Sequence, residues 1–328
     1  MTSDGQLDVS VALCTHNGAD FVEEQVRSIL AQTRPPTQIV LSDDASTDAT
    51  VALVTALVEP SGIPFTVLAN SEALGVTRNF EQAVRACSGD LIALSDQDDV
   101  WHEQRLEVMT ALFAGRPELL LAAGDARLVD EHGAPLEHSL FEALEISADE
   151  FASMRDGKAF ATLLHRNLAT GATTVFRRSL AEAAMPFPKA WVHDEWLASL
   201  GAAIGSIELV RDRLVDYRQH GSNQIGVSKL SLVGKLRRVF EPRSARNLRL
   251  VARAEALVDR LETTELTVDV GVLDGARGKL AHERLRSSLP VRRLARMLPV
   301  LREWRRDGYS LYGRGSADAL RDLLQPAS

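Results

Sequence analysis

The sequence predicts an α/β fold: a mainly parallel sheet flanked by helices over residues 1–228, followed by a basic, mostly helical C-terminal region over 229–328. Three observations carry this expectation. β-rich runs alternate with helically spaced segments from Leu7 to Ser95, β-branched runs disappear beyond Lys229, and the charge reverses sign between the two parts. Residues 1–228 hold 16 Lys and Arg against 33 Asp and Glu, whereas residues 229–328 hold 21 against 12. An acidic body argues against a general nucleic-acid binder and suits a site that holds a cation.

The elements follow in order. Val9–Cys14, Gln38–Ser42, Phe65–Ala69 and Leu91–Ser95 read as strands. Between the first two, Val22, Val26, Ile29 and Leu30 repeat at helical spacing, with Glu23, Glu24 and Arg27 on the other face, and Pro35 and Pro36 end the pattern. After Trp101 a helix is expected near Glu103–Ala114, then an apolar run at Leu119–Ala123, a turn at His132–Gly133 and a less regular stretch to about Lys158; this whole middle reads as an insertion or acceptor-facing structure. Thr173–Phe176 and Glu208–Arg211 read as further strands, with a helix opening near His193 between them. Beyond Lys229, Arg-rich helical segments run to Leu324, interrupted at Pro242, Pro290 and Pro299.

Cys14 and Cys87 are the only cysteines, with no spacing that signals a disulfide framework or a zinc site. The polar residues Met1–Asp8 and the lack of any long apolar run point to a cytoplasmic protein, soluble or peripheral at the inner face of the membrane.

Parallel α/β sheets bind ligands at the carboxyl ends of their strands, so the strand ends are the places to search. The first ends in Cys14-Thr15-His16-Asn17-Gly18, donors and acceptors suited to a nucleotide or to an ordinary β–α turn. The second ends in Ser42-Asp43-Asp44-Ala45-Ser46-Thr47-Asp48, where the last three fit helix capping and the adjacent carboxylates need donors, such as a nucleobase N–H or a ribose hydroxyl. The fourth ends in Ser95-Asp96-Gln97-Asp98-Asp99-Val100-Trp101, and Asp96 and Asp98, two apart, can both reach one Mg²⁺ or Mn²⁺ whose shell substrate phosphates complete.

His193-Asp194-Glu195-Trp196 opens a helix with carboxylates that are either dipole partners or include a general base. His193 and Trp196 fall on the acceptor or phosphate side of that reading. In Tyr217-Arg218-Gln219-His220-Gly221-Ser222-Asn223, His220 offers a third metal ligand and Arg218 a phosphate contact.

Taken in order, ALCTHNGADFVEEQVRSILAQT, IVLSDDASTDAT, GVTRNFEQAV, GDLIALSDQDDVW, HDEW and YRQHGSN resemble the family 2 glycosyltransferases, inverting enzymes of the GT-A fold, and within them the rhamnosyltransferase-like enzymes of bacterial polysaccharide synthesis. The resemblance covers roughly residues 8–225. It implies that Thr15, Asn17, Asp43 and Asp44 hold the nucleoside and that Arg78 approaches base or phosphate. Asp96 and Asp98 would match the Asp-x-Asp metal and ribose motif, and His220 would lie near a late metal-binding position. Asp194 would be the catalytic base, although the family's common Glu-Asp pair reads His193-Asp194 here. The implied reaction moves a sugar, L-rhamnose being the first to test, from a nucleoside diphosphate sugar to a hydroxyl of a saccharide or lipid-linked saccharide.

Other readings are a non-catalytic nucleotide-sugar-binding module and a metal-dependent phosphohydrolase. No Gly-x-Gly-x-x-Gly or Gly-x-x-x-x-Gly-Lys-Ser/Thr loop supports a dinucleotide or P-loop enzyme. In the tail, Lys235, Arg237, Arg238, Arg243, Arg246, Arg249 and Arg253, and later Arg292, Arg293, Arg296, Arg302, Arg305 and Arg306, alternate with apolar residues. They either pack on the acidic body or form a face for anionic membrane.

Overall fold

The computed structural model describes residues 7–220 and 244–326. Val9–Thr15 (β1), Gln38–Asp43 (β2), Phe65–Ala69 (β3) and Leu91–Ser95 (β4) lie in the order β3-β2-β1-β4, all parallel. They are joined through Val22–Leu30 (α1), Thr50–Val58 (α2) and Val76–Ala86 (α3). Every residue of β1 and β4 is buried, as expected for strands covered by helices on both faces.

Because β2 and β3 lie to one side of β1 and β4 to the other, the chain reverses direction of travel at β1, which opens a crevice above the ends of β1, β2 and β4.

Beyond β4 the sheet becomes mixed. Val100–Trp101 (β5) leads through Arg105–Ala111 (α4) to Leu119–Val129 (β6), which forms a hairpin with Pro135–Ser139 (β7). Thr174–Arg177 (β8) inserts antiparallel between β4 and β6, while Ser206–Arg218 (β9) runs parallel to β6 and antiparallel to β5. The parallel expectation therefore holds for the alternating β–α part. Beyond β4 it holds only for the β6–β9 pair, the other pairings there being antiparallel.

Leu119–Val129 is not an insertion: this strand sits inside the sheet, and its apolar residues belong to the main core. After β7 come Leu140–Ala143 (α5), Ala148–Arg155 (α6), Ala159–His165 (α7), Arg178–Ala184 (α8) and His193–Ile204 (α9). Capping boxes of Ser139 with Glu142 and Ser147 with Glu150 start α5 and α6.

The C-terminal region comprises Ser244–Thr263 (α10), Val270–Ser288 (α11), Arg293–Arg305 (α12), Gly308–Tyr312 (α13) and Ser316–Leu324 (α14). Leu257, Val258 and Leu261 of α10 and Ala276 of α11 join the same apolar core as the sheet. Arg253 pairs with Glu195, and Arg260 donates to the carbonyls of Ala183, Met185 and Pro186. Of the first basic cluster, Arg253 thus packs on the body, while Lys235, Arg237, Arg238 and Arg243 fall outside the described residues, as does the expected boundary at 228–229.

Candidate active site

The crevice encloses a cleft of about 340 Å³ into which Thr15, Asn17, Asp44, Asp96, Asp98, Asp194 and His220 all reach. Five sequence-distant segments are thereby brought together.

At the end of β1, the Thr15 hydroxyl donates to Asp43 Oδ1 at 2.7 Å, and Asp43 also accepts from the Ser46 N–H at 2.8 Å. Asp44 accepts from the N–H groups of Leu74 and Gly75. The donors that two adjacent carboxylates require are thus supplied by the chain itself. Asp43 is buried behind the cleft wall, and Asp44 forms part of that wall.

His16 Nδ1 lies 2.6 Å from the Asp44 carbonyl, so this nitrogen carries the proton and Nε2 accepts from the Asn17 amide at 3.2 Å. Asn17, at φ 47°, accepts from Thr47 N–H with its side-chain oxygen and lines the cleft.

The acidic loop after β4 supplies Asp96 and Asp98. Burial, then Asp98 and Asp194, push the Asp96 carboxyl up to about 7, against the smaller pull of Arg105. Asp98 Oδ2 lies 2.8 Å from His220 Nε2, and the His220 ring stacks on Phe21 with centroids 4.7 Å apart. Asp99 turns inward: it is buried, accepts from the Arg218 N–H at 3.2 Å, and burial with the nearby Asp98 and Asp96 holds its carboxyl well above the usual range.

Among the described residues no three His, Cys, Asp or Glu side chains form a ready-made metal cage. Two carboxylates on a crowded negative wall nevertheless suit Mg²⁺ or Mn²⁺, which is commonly held by one or two carboxylates and completed by substrate phosphates.

Across the cleft, Asp194 stands in the first turn of α9. Its Oδ2 accepts from the Gly171 N–H at 3.0 Å and its Oδ1 from the Glu195 N–H at 2.6 Å, while burial raises its pKa. A Cβ at residue 171 would stand 3.0 Å from His193 Nε2 and 3.6 Å from Asp194 Cβ, so glycine lets this backbone donor approach. His193 stacks on Phe80 with centroids 3.9 Å apart, and burial pushes it down to about 3, leaving it neutral. Among the described residues neither of its ring nitrogens has a hydrogen-bond partner, although the residue lines the cleft. A buried polar group left unsatisfied in this way is a place for a ligand atom.

Four expected site residues do not line the cleft: Asp43, which lies behind its wall, and Arg78, Trp196 and Arg218. Arg78 points away from it and pairs with Glu81 at 2.6 Å, because the inward phase of α3 is taken by Asn79, Phe80, Ala83 and Val84. Trp196 is fully buried, its indole donating to the Ala184 carbonyl at 2.9 Å. Arg218 braces the acidic loop from behind, donating to the carbonyls of Asp98 and Glu131 and to Glu24.

The sequence reading passed over Asn79, which donates to the Ser42 carbonyl at 2.9 Å beneath the cleft, and Gln97, which bonds the backbone of His16 in both directions. The helical phase of α3 carried the signal for Asn79. No local pattern carried one for Gly171.

The model of the family described as Glycosyl transferase family 2 matches residues 10–183 of the chain. The chain belongs to glycosyl transferase family 2.

An uncharacterized glycosyltransferase of Nostoc sp. is 27% identical to it over 66% of each chain, and the dTDP-rhamnosyl transferase RfbG of Shigella flexneri is 33% identical over 29% of this chain and 34% of its own. An uncharacterized Mycobacterium tuberculosis protein is 26% identical over 65% of this chain. The chain spans 66% of the Nostoc protein and 59% of the mycobacterial one, less than two thirds of either. Among solved structures, TarS of S. aureus in complex with UDP-GlcNAc superposes with a TM-score of 0.56 at 16% identity, over 96% of this chain and 90% of its own. The mannosyltransferase PcManGT of Pyrobaculum calidifontis, in complex with GDP-Man and Mn²⁺, gives 0.51 at 18% identity over 91% and 75%. The family 2 chain thus shares the α/β fold of these transferases.

Proposed function

We propose that this family 2 protein is a metal-dependent inverting glycosyltransferase of polysaccharide synthesis, taking a sugar from a nucleoside diphosphate sugar to an acceptor hydroxyl. The observation that carries the reading is the meeting of Asp96, Asp98 and Asp194 in one cleft. In the proposed reaction, Asp194 accepts the proton of the acceptor hydroxyl as its oxygen bonds to the anomeric carbon and the bond to the diphosphate breaks on the opposite face. No enzymic nucleophile is required. Asp96 and Asp98, with His220 beside them, would hold Mg²⁺ or Mn²⁺, which when bound neutralises charge on the departing diphosphate. Thr15, Asn17 and Asp44 would line the nucleoside side, with Asp43 fixing Thr15.

The name of RfbG makes dTDP-L-rhamnose the first donor to try, and the ligands named for TarS and PcManGT add UDP-GlcNAc and GDP-mannose. Thermal shift with each donor, with and without Mn²⁺, tests the reading: one donor should stabilise the protein in a Mn²⁺-dependent way, by about 2.7 kcal/mol at a hundredfold excess over Kd. Indifference to every nucleotide sugar would refute it.

The same protein is proposed to sit on anionic membrane. No helix of the described residues is long and apolar enough to cross a bilayer. Along α12, however, Leu294, Met297 and Leu298 are 84%, 58% and 65% exposed, and Met297 and Leu298 border an apolar groove of about 680 Å³ shared with Leu320 of α14. Exposed Arg292, Arg293, Arg302, Arg305 and Arg306 flank these apolar residues, as in helices that lie in the headgroup layer. Arg296 is not part of this face, being buried. Flotation with anionic vesicles should recover the wild type but not Leu294→Glu/Leu298→Glu; equal recovery would refute the contact.

A further inference from the structure

A second cavity, of about 610 Å³, lies between α7, α9 and the C-terminal helices α10, α11 and α14. Eight Lys and Arg residues line it against three carboxylates, Glu195, Glu283 and Asp318. Several of these cations are matched within the protein: Arg166 by Glu150, Arg253 by Glu195 and Lys279 by Glu283. Others are not. Arg249 and Arg314 are exposed, and their guanidinium groups make no ion pair or hydrogen bond among the described residues. Among the described residues Arg246 comes no nearer to a carboxylate than 3.8 Å, from Asp318, and although Arg321 pairs with the same Asp318 at 3.1 Å, its Nε is buried without a partner.

Positive charge gathered in a recess and left uncompensated favours an anionic occupant, and guanidinium groups match the planar or tetrahedral oxygens of carboxylate and phosphate. The volume falls in the range of sites for organic ligands rather than bare ions.

The position of the cavity indicates which ligand. Consecutive residues at the start of α9 face different spaces: Asp194 lines the donor cleft, whereas Glu195, with Trp191, lines the cationic cavity. A saccharide anchored in the cavity therefore needs to pass only the first turn of α9 to bring a hydroxyl to Asp194. We propose that this cavity seats the acceptor, and that the acceptor is a saccharide carrying phosphate or carboxylate groups. The inference rests on the glycosyltransferase reading for the word acceptor, but the binding it requires does not depend on donor or metal.

Calorimetric titration of the full chain without donor tests it, with trigalacturonate, glucose 6-phosphate and neutral maltotriose as probes. At least one anionic saccharide should bind in a salt-sensitive way and maltotriose should not. Arg249→Gln/Arg314→Gln, which alters two exposed side chains, should weaken that binding about tenfold or more. Equal binding of maltotriose, or an unchanged affinity in the double variant, overturns the proposal. So does a double variant that loses anionic vesicles while keeping the saccharides, which would assign the cavity to lipid headgroups. Titration of wild type with UDP, GDP and dTDP in Mn²⁺ runs in parallel: failure there counts against the glycosyltransferase reading, and leaves the result for the cavity legible.

Discussion

Asp194→Asn separates catalysis from folding, and the geometry allows both effects to be sized. The carboxylate accepts two backbone N–H bonds, one on each oxygen. An amide has a single acceptor, so either Gly171 or Glu195 loses its partner, at about 1–3 kcal/mol. Against this, the amide carries no charge to bury, and burial is the main influence raising the Asp194 pKa. We predict that the opposed effects leave stability within about 2 kcal/mol of wild type. Turnover has no such offset. Loss of a general base should lower it by about 10²–10⁴-fold, equivalent to about 3–5 kcal/mol of barrier. Release of nucleoside diphosphate with acceptor present measures the rate, and thermal melts measure the fold. Since a base acts when deprotonated, the wild-type rate should rise with pH along a limb displaced above the ordinary carboxylate range, and that limb should vanish in the variant. Near-normal turnover, or an unchanged limb, would refute the assignment. Glu195 is a poor substitute, because it is bound to Arg253 and faces the other cavity.

The acidic loop should divide into function and support. We predict that Asp98→Ala abolishes Mn²⁺-dependent donor binding with little loss of stability, whereas Asp99→Ala, which strips the Arg218 N–H of its acceptor and the buried Arg105 of a counter-charge, destabilises the fold by on the order of 3 kcal/mol. Calorimetry with Mn²⁺ and denaturant melts should show these opposite patterns; the reverse assignment of effects would refute the division. Asp96 adds a pH dependence. A carboxyl raised to about 7 stabilises the metal-free fold fully below about pH 4 and loses that contribution as pH rises through 7. In chelator, Asp96→Asn should therefore gain on wild type in melting temperature as pH increases from 4 to 8. A constant difference would refute the raised pKa.

Periodicity made the first half of the fold legible: β3 and β4 have the bounds expected, and β1 and β2 each run one residue further. The same alternation located the cleft, since strand order places the ends of β1, β2 and β4 together whatever their sequences. The middle was less legible for two reasons. Leu119–Val129 has the apolar run of a buried strand, but its sheet neighbours β8 and β9 lie far along the chain, so nothing local announces them. The capping boxes at Ser139 and Ser147, by contrast, were present in the sequence as Ser-x-x-Glu and would have placed α5 and α6. Side-chain direction was the other limit. Donor-rich residue types mark Arg218 and Trp196 as candidate contacts, yet both satisfy their donors inside the protein.

The tail shows why a sum of charges locates a region without describing its work. Arg296 is buried and donates to the carbonyls of Pro290, Val291, Asp322 and Gln325, tying the approach to α12 to the end of α14. Arg286, also buried, bonds both carboxylate oxygens of Asp322, which accepts as well from the Tyr309 hydroxyl at 2.9 Å. These struts compensate for a small apolar cluster of Leu289, Val300, Tyr309 and Ala319. Buried charges of this kind contribute little net stability while paired, but are costly to leave alone, so they fix the arrangement of the helices more than they strengthen it. Arginines committed in this way are removed from the positive surface that composition implies. Docking onto the acidic body accounts for Arg253 and Arg260, and even there Leu257, Val258 and Leu261 supply the apolar seam. Among the described residues, uncommitted arginines fall in two separate places, the cavity beside α9 and the flanks of α12. A single basic patch would have invited one polyanionic partner; two sites of different chemistry, one recessed beside a carboxylate and one bordering exposed leucines, are the reason we propose two different partners, an anionic saccharide at the first and a lipid surface at the second.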